Sequence, residues 1–430
     1  MRSRSILKLS AICLASASAS FGAGFSLFQG SAAGNADPNY AAAKGGEPAA
    51  LFLNPAAIDT LEGSQLQMGV TFVAPTFSVE GKNPYNGQSY KVNAKDQIFP
   101  IPHAYYTQKL NDEFWFGLGF TSHFGMGTEF DSDWFGRYNS TRADILSLNV
   151  SPSIAWKANN WLIVGAGITT QYFIIDLEQK IDAVNRTNNP DNPAAFDVSQ
   201  DICVDSLGLG VDLGIVVRPV DKLSIGLAYH SRIKQKSEGD VEYKKHPAVA
   251  AGLASQGLGG LFTDTGVKGT VTVPDTIVSA ITYDVTDKLT LGVGVTYQTW
   301  STYDELNIKF DEPVIGRYET TSVKDWDNVF RYTISGTYKL NDTWTLRAAY
   351  ICDDSPVNDK HVEYILPSGS RDIFVIGAGC AFGDWTFDFS YFYEIMDDGE
   401  VLADVGVGIM PSKYVDGEAH SVGFSVTRRF

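Results

Sequence analysis

SLGLGVDLGIVVRPVD, residues 206–221, is an unbroken alternation that ends in a turn. Leu207, Leu209, Val211, Leu213, Ile215 and Val217 share one face, and Ser206, Gly208, Gly210, Asp212 and Gly214 share the other. A period of two is the period of a strand. The stretch closes in the short polar turn Arg218-Pro219-Val220-Asp221. Similar turns recur at Lys109-Leu110-Asn111-Asp112, Lys157-Ala158-Asn159-Asn160, Asp284-Val285-Thr286-Asp287, Lys339-Leu340-Asn341-Asp342 and Gly383-Asp384. Each joins two alternating stretches, and a much longer connection separates one turn from the next. Short turns on one side and long loops on the other are the signature of an antiparallel barrel in an outer membrane.

Working outward gives fourteen strands, at 65–80, 96–109, 114–122, 143–157, 161–180, 203–218, 222–242, 266–284, 288–310, 318–339, 343–351, 371–382, 385–395 and 418–430. The even total is the one a single-chain bacterial barrel requires. A soluble sandwich also alternates. It does not combine this turn asymmetry and strand count with a C-terminal aromatic, Phe430, on the apolar face of the last strand, where Val422, Phe424 and Val426 oppose Ser421, Gly423, Ser425 and Thr427. Several strands exceed the roughly 9–11 residues that cross a bilayer, so the barrel is expected to rise above the membrane. The outer loops are expected at 81–95, 123–142, 181–202, 243–265, 311–317, 352–370 and 396–417. The fold expected is all-β: a 14-stranded antiparallel transmembrane β-barrel.

The ends and the composition agree. Arg2, Arg4 and Lys8 precede a short, mildly apolar segment, and Ser20 and Gly22 allow cleavage before Ala23, so 1–22 reads as a secretory signal. Ile12 ahead of Cys13 is too large for a lipoprotein signal. No other run approaches the roughly 20 apolar residues of a spanning helix, and mean hydropathy is −0.08. A barrel hides its membrane signal because only alternate residues face lipid. The 20 Tyr, 25 Phe and 8 Trp suit aromatic girdles. A net charge of −17 argues against nucleic acid as a partner. Beyond the signal the cysteines are Cys203, Cys352 and Cys380, too few and too widely spaced for a disulfide framework. A pair between Cys203 and Cys352 in the outer loops is conceivable, but separate burial is preferred.

Residues 23–64 precede the barrel (65–430) and do not alternate. They are rich in Gly and Ala, yet carry Phe25, Leu27, Phe28, Tyr40, Leu51, Phe52, Leu53, Ile58 and Leu61. That is too apolar for a solvated tail, and a barrel of this size has a bore its own side chains cannot fill. A luminal plug, or hatch, is the expectation.

Ala23-Gly24-Phe25, then Leu51-Phe52-Leu53-Asn54-Pro55-Ala56-Ala57-Ile58, resembles the hatch of the FadL-type outer-membrane long-chain fatty acid transporters. Thr121-Ser122-His123-Phe124-Gly125-Met126-Gly127-Thr128-Glu129-Phe130 resembles that family's kinked third strand, and Asp353-Asp354-Ser355-Pro356-Val357 also matches. The resemblance implies passive uptake of hydrophobic compounds, by capture in outer loops, transfer to a luminal site, and sideways release through the kink. Asn54, Pro55 and Ala56 become a gating motif, with Asn54 hydrogen-bonding near the kink at Ser122, His123, Phe124 and Gly125. Without a barrel, Asn-Pro-Ala reads as an ordinary turn. Gly125 and Gly127 favour a bend, with a simple loop start as the alternative.

In the loop 246–262, Val249, Leu253, Leu258, Leu261 and Phe262 recur at near-helical spacing, which suggests a short helix offering an apolar capture groove, or one that merely caps the barrel. For a luminal ligand site the candidates are Phe25, Lys180, Arg317 and Arg331, although each cation taken singly reads as half of a luminal ion pair. Long-chain fatty acids are the first ligand class, and aromatic or aliphatic hydrocarbons the alternative. The expected partners are that ligand and the lipid and lipopolysaccharide of the outer membrane; a monomer with no cofactor or metal is expected. None of the six histidines shows a Ser–His–acid or metal-ligand spacing, so a hydrolase ranks low. A general porin ranks low because of the apolar segment before the barrel.

Overall fold

The structure, a computed structural model, describes residues 24–314, 316–367 and 369–430; the expected signal, 1–22, lies outside the described residues. The sharp turns have a common chemistry. Asn111, Asn159 and Asn341 each accept from two backbone N–H groups just ahead, and Thr286 does the same. This is the local side-chain cap that favours Asn and Thr in turns.

The strands are β1 (Ser64–Lys82), β2 (Phe99–Lys109), β3 (Phe114–Thr121, then Gly125–Glu129), β4 (Arg142–Lys157), β5 (Leu162–Ile181) and β6 (Val198–Val220). Next come β7 (Leu223–His230, then Ile233–Lys244), β8 (Thr265–Val273, then Thr276–Asp284), β9 (Leu289–Gln298, then Glu305–Val314) and β10 (Arg317–Val323, then Val329–Lys339). The last are β11 (Trp344–Asp353), β12 (Arg371–Phe382), β13 (Trp385–Met396) and β14 (Ser412–Arg429). Each pairs antiparallel with its neighbours, and β1 pairs with β14 from Gln65↔Arg429 to Gly81↔Ser412, which closes the cylinder. In β6, Leu207 and Leu209 are exposed while Gly208, Gly210 and Asp212 are buried. The apolar face therefore looks out to lipid.

Two expectations need correction. The long alternating stretches read as single strands are interrupted in β7 to β10. Asp275 organises one break: it accepts from Arg232 N, Arg232 Nε and Tyr229 Oη at 2.7–2.8 Å, and Pro274 ahead of it has no N–H to give a ladder. Cys203 and Cys352 do not bridge, since they sit in β6 and β11, and Cys203 is exposed rather than buried.

Residues 24–63 form short helices at Ala32–Ala36 and Pro38–Ala43 and single 3-10 turns at Pro48–Phe52 and Pro55–Ile58. Ser31 and Asp37 cap the helices through their side chains. Nearly all of this segment is buried, because it packs on the inner face of the wall. It rests on inward-facing glycines. A Cβ at Gly214 would lie 2.1 Å from Asn54 Oδ1, one at Gly165 2.4 Å from Ala56 N, and one at Gly226 2.3 Å from Ala42 O. Polar ties reach round the cylinder: Ala32 N donates to Ser425 Oγ (2.9 Å), Asn39 Nδ2 to Ser335 Oγ (2.8 Å) and Trp115 Nε1 to Leu61 O (2.9 Å). Arg218 and Lys44 add ion pairs to Asp59 and Asp284.

Candidate functional site

The ladder between β2 and β3 stops at Ala104↔Phe120. Above it, the next backbone bond across this seam is Lys95 N to Glu129 O, at 2.8 Å. Between them the wall has a gap. On its other side β3 pairs with β4 at Thr121↔Asn149 and again at Gly125↔Leu146. Ser122, His123 and Phe124 thus stand against Leu148 and Ser147, which is a bulge, and the strand bends there.

Ser147 holds the bend. Its hydroxyl accepts from His123 N (3.1 Å) and Phe124 N (2.8 Å), and its own N–H donates to Phe124 O (2.9 Å). The start of the N-terminal segment takes the remaining edge. Leu27 N donates to His123 O at 2.8 Å, and Gly125 N donates to Phe25 O at 2.9 Å. Phe52 lies 4.6 Å from the His123 ring, centroid to centroid.

Phe25 is the hub of an aromatic cluster. Its ring meets those of Trp300, Trp326, Phe124, Tyr303 and Phe173 at 4.7–6.3 Å. The breaks in β9 and β10 supply Trp300, Tyr303 and Trp326, since these residues stand where the strands are interrupted. A mostly apolar cavity of ≈ 40 Å³ opens here, lined among others by Phe25, Met126, Ile145, Tyr303, Trp326 and Leu366, with Lys324, His361 and Glu363 at one edge. Lys324 pairs with Glu363 at 2.8 Å. A second, more polar cavity of ≈ 70 Å³ lies between the N-terminal segment and the wall, beside Phe52, His123, Asp212, His230 and Arg331. There His230 Nδ1 meets Asp212 Oδ1 at 2.8 Å, and its Nε2 meets Leu53 O at 3.2 Å.

The structure brings some of the expected residues together and separates others. Ser122, His123, Phe124 and Gly125 form the bend, and Phe25 lies against it. Gly125 and Gly127 are not a loop start; they belong to the resumed half of β3. Asn54 does not reach the bend. Its Nδ2 donates to Ala42 O (2.8 Å) and Ile215 O of β6 (3.2 Å), and its Oδ1 caps Ala56 N (3.0 Å). Pro55 and Ala56 form the turn that fits over Gly165 and Gly214. The contact with the bend comes instead from Phe25 to Leu27 and from Phe52.

Among the cations, Arg331 is luminal and bound to Asp353 at 2.9 Å, and Arg371 binds the same carboxylate and Glu394. Both guanidinium groups lie over the Phe28 ring, at 4.8 and 5.3 Å. Arg317 is exposed at the turn end of an outer hairpin, paired with Val314. Lys180 faces an outer cleft with Asp197, Lys244 and Lys245, and donates to Ser199 Oγ at 2.7 Å. In that outer region burial pushes the Asp197 carboxyl up, while hydrogen bonds from Arg137 and Tyr138 pull it down. The short helix of the outer loop is Pro247–Ser255. Val249, Leu253 and Phe262 are buried, and Leu258 and Leu261 partly so, in the same apolar cluster as Phe25 and Phe124. They turn inward rather than line an open groove.

Sequence reasoning missed Ser147, Trp300, Tyr303 and Trp326. The signal was present in the loss of alternation at 299–304 and 324–328. Ser147 gave none, because a hydroxyl in a strand looks like any other small polar residue.

A family described as outer membrane protein transport protein (OMPP1/FadL/TodX) has a model that matches residues 12–430. A long-chain fatty acid transport protein of Escherichia coli O6:H1 is 24% identical over 354 residues, covering 77% of each chain. A crystal structure of a Pseudomonas aeruginosa FadL homologue superposes with a TM-score of 0.82 at 22% identity, over 95% of this chain and 100% of that one. The toluene transporter TodX of Pseudomonas putida gives 0.67 at 16% identity, over 89% and 94%. These likenesses show the same fold. The family match extends over the barrel and the segment before it: the chain belongs to this outer-membrane transport family.

Proposed function

From that membership we propose that the chain takes up hydrophobic compounds passively across the outer membrane, with residues 24–63 as its luminal plug. The observation that carries the reading is an apolar cavity lined by Phe25, which bonds to the bend of β3, and by Met126 of the resumed half of that strand. On this reading a ligand leaves that cavity past Phe25 and the bend, toward the gap between β2 and β3. Apolar burial of about 0.8 kcal/mol per methylene makes such a cavity a good host for an acyl chain. The inward-turned residues of the outer loop, Val249, Leu253 and Phe262, extend the same apolar surface outward, so a ligand captured outside can move in without re-entering water.

Long-chain fatty acids are the first substrate class. The pairing of Lys324 with Glu363 favours a second reading, an uncharged hydrocarbon, because the cation at the cavity edge already has its counter-ion. The test is uptake of labelled oleate, and separately of labelled toluene, by cells deficient in outer-membrane hydrophobe uptake that express this chain. Uptake above the empty-vector rate is expected for one of them, and it should fall at least fivefold when Met126→Asp puts a charge into the cavity. No rise for either probe, with the barrel present in the outer membrane, would refute the proposal.

A further inference from the structure

Strand β2 carries Pro100 and Pro102 in the half that borders the wall gap. Its ladder with β1 runs without a shift from Ser64↔Gln108 to Val73↔Phe99. At its end Lys109 N donates to Gly63 O, on the β1 side, at 2.9 Å. N–H groups point to alternate neighbours along a strand. Odd-numbered residues of β2 therefore donate toward β1, and even-numbered ones toward β3. The even series pairs with β3 at Gln108↔Phe116, Tyr106↔Leu118 and Ala104↔Phe120, and there it ends. The next two members are Pro102 and Pro100. A straight β3 would set Ser122 and Phe124 opposite them, two of the three residues that bend away.

Proline has no N–H, so both registers of a closed wall would lack the donor from β2. We infer that Pro100 and Pro102 hold the wall open, by removing the two donors a continuous β2–β3 ladder needs. A closed wall would leave carbonyls of β3 without partners at the edge of the hydrocarbon, where no water replaces them. The bend avoids this. Phe124 O accepts from Ser147 N instead, and the Phe124 amide turns to the Ser147 hydroxyl. The rim left on β2 offers a passing apolar ligand two rings and no bare N–H; Pro102 is exposed and Pro100 half-buried. The gap is then a property of the wall itself and persists whether or not the N-terminal segment is docked.

The inference rests on the lateral exit proposed above only for its consequence in transport, and its test separates the two. The double variant Pro100→Val/Pro102→Val, in the full chain in lipid, restores both donors in residues that favour strands. Amide exchange of peptides spanning 98–104 and 120–126 is measured beside uptake of the labelled probe and its binding from outside. We expect exchange over 120–126 to slow at least tenfold and uptake to fall at least fivefold, with outside binding unchanged. Slowed exchange with unchanged uptake would uphold the prolines as wall openers and overturn the lateral exit. Unchanged exchange would overturn the inference. If the double variant does not assemble, Pro102→Ala restores one donor beside Ala104↔Phe120, and exchange at 122 alone should slow; unchanged exchange there counts equally against the inference.

Discussion

Ser147 shows how much a single hydroxyl decides. The bend in β3 turns two N–H groups away from any strand partner, and both find the same Oγ, which is itself fully buried. A buried donor left unmade costs about 1–3 kcal/mol. Ser147→Ala is therefore expected to lower stability by about 1–3 kcal/mol or more in denaturant titration of the folded barrel, whereas Ser147→Thr, which keeps the oxygen, should lose much less. Equal stability of wild type and the Ala variant would mean that water or a rearranged backbone replaces the hydroxyl. Asn54 makes the complementary point. The sequence around it resembles a gating motif, and its side chain is fully buried and fully used, but on Ala42, Ala56 and Ile215. A residue's partners depend on how the segment before the barrel folds, and that segment has no periodicity from which to read its path.

At the scale of elements, the glycines of the inner wall and the N-terminal segment are one fitted surface. Gly214 faces Asn54 and Pro55, Gly165 faces Ala56, and Gly294 faces Asn39, each closer than any side chain allows. Gly214→Val is expected to lift the segment from β6 while β6 keeps its ladders, so that small ions cross the bore. Planar-bilayer conductance should rise well above wild type, and Gly260→Ala, where the added atom meets open space, should leave it unchanged. A Gly214→Val barrel as tight as wild type would mean that the segment does not seal the bore. The strands themselves were legible because their signal is local: alternation and Asn-centred turns need no knowledge of the rest of the chain. Their ends shifted by a few residues, as for β6, expected from 203 and found from Val198. The break in β8 was not legible, since Pro274-Asp275 lies inside an otherwise alternating run and its effect depends on Arg232 and Tyr229, far away in sequence. The breaks in β9 and β10 left only a lapse of alternation at 299–304 and 324–328, which does not say where their side chains go. Those breaks bring Trp300 and Trp326 to Phe25, so the site was legible in the bend and in Phe25 but not in the aromatic wall opposite.

At the level of the membrane band the wall inverts the usual order of a folded chain, with apolar side chains outside and small or polar ones, such as Gly208, Gly210 and Asp212 of β6, turned within. The band is visible in β6, β10 and β12, where Leu207, Leu209, Ile334 and Ile376 are 60–69% exposed, and Trp156, Trp161, Trp344 and Trp385 stand near the short turns as an aromatic girdle. The row from Leu207 to Val217, at about 3.3 Å per residue and a tilt of about 40°, spans roughly 25 Å, the height of the hydrocarbon-facing band of such barrels. Leu213 lies near its middle, and its neighbours in the wall are Ala166 of β5 and Tyr229 of β7. Neither offers a counter-ion. Leu213→Arg is therefore expected to destabilise the barrel by about 2–4 kcal/mol in reversible unfolding from lipid vesicles. The same change at Leu402, exposed in an outer loop beyond the strands, should stay within about 0.5 kcal/mol. The contrast isolates membrane depth from the chemistry of arginine. Equal effects at the two positions would mean that the row on β6 does not face the hydrocarbon, and with it the orientation of every strand in the cylinder would have to be reversed.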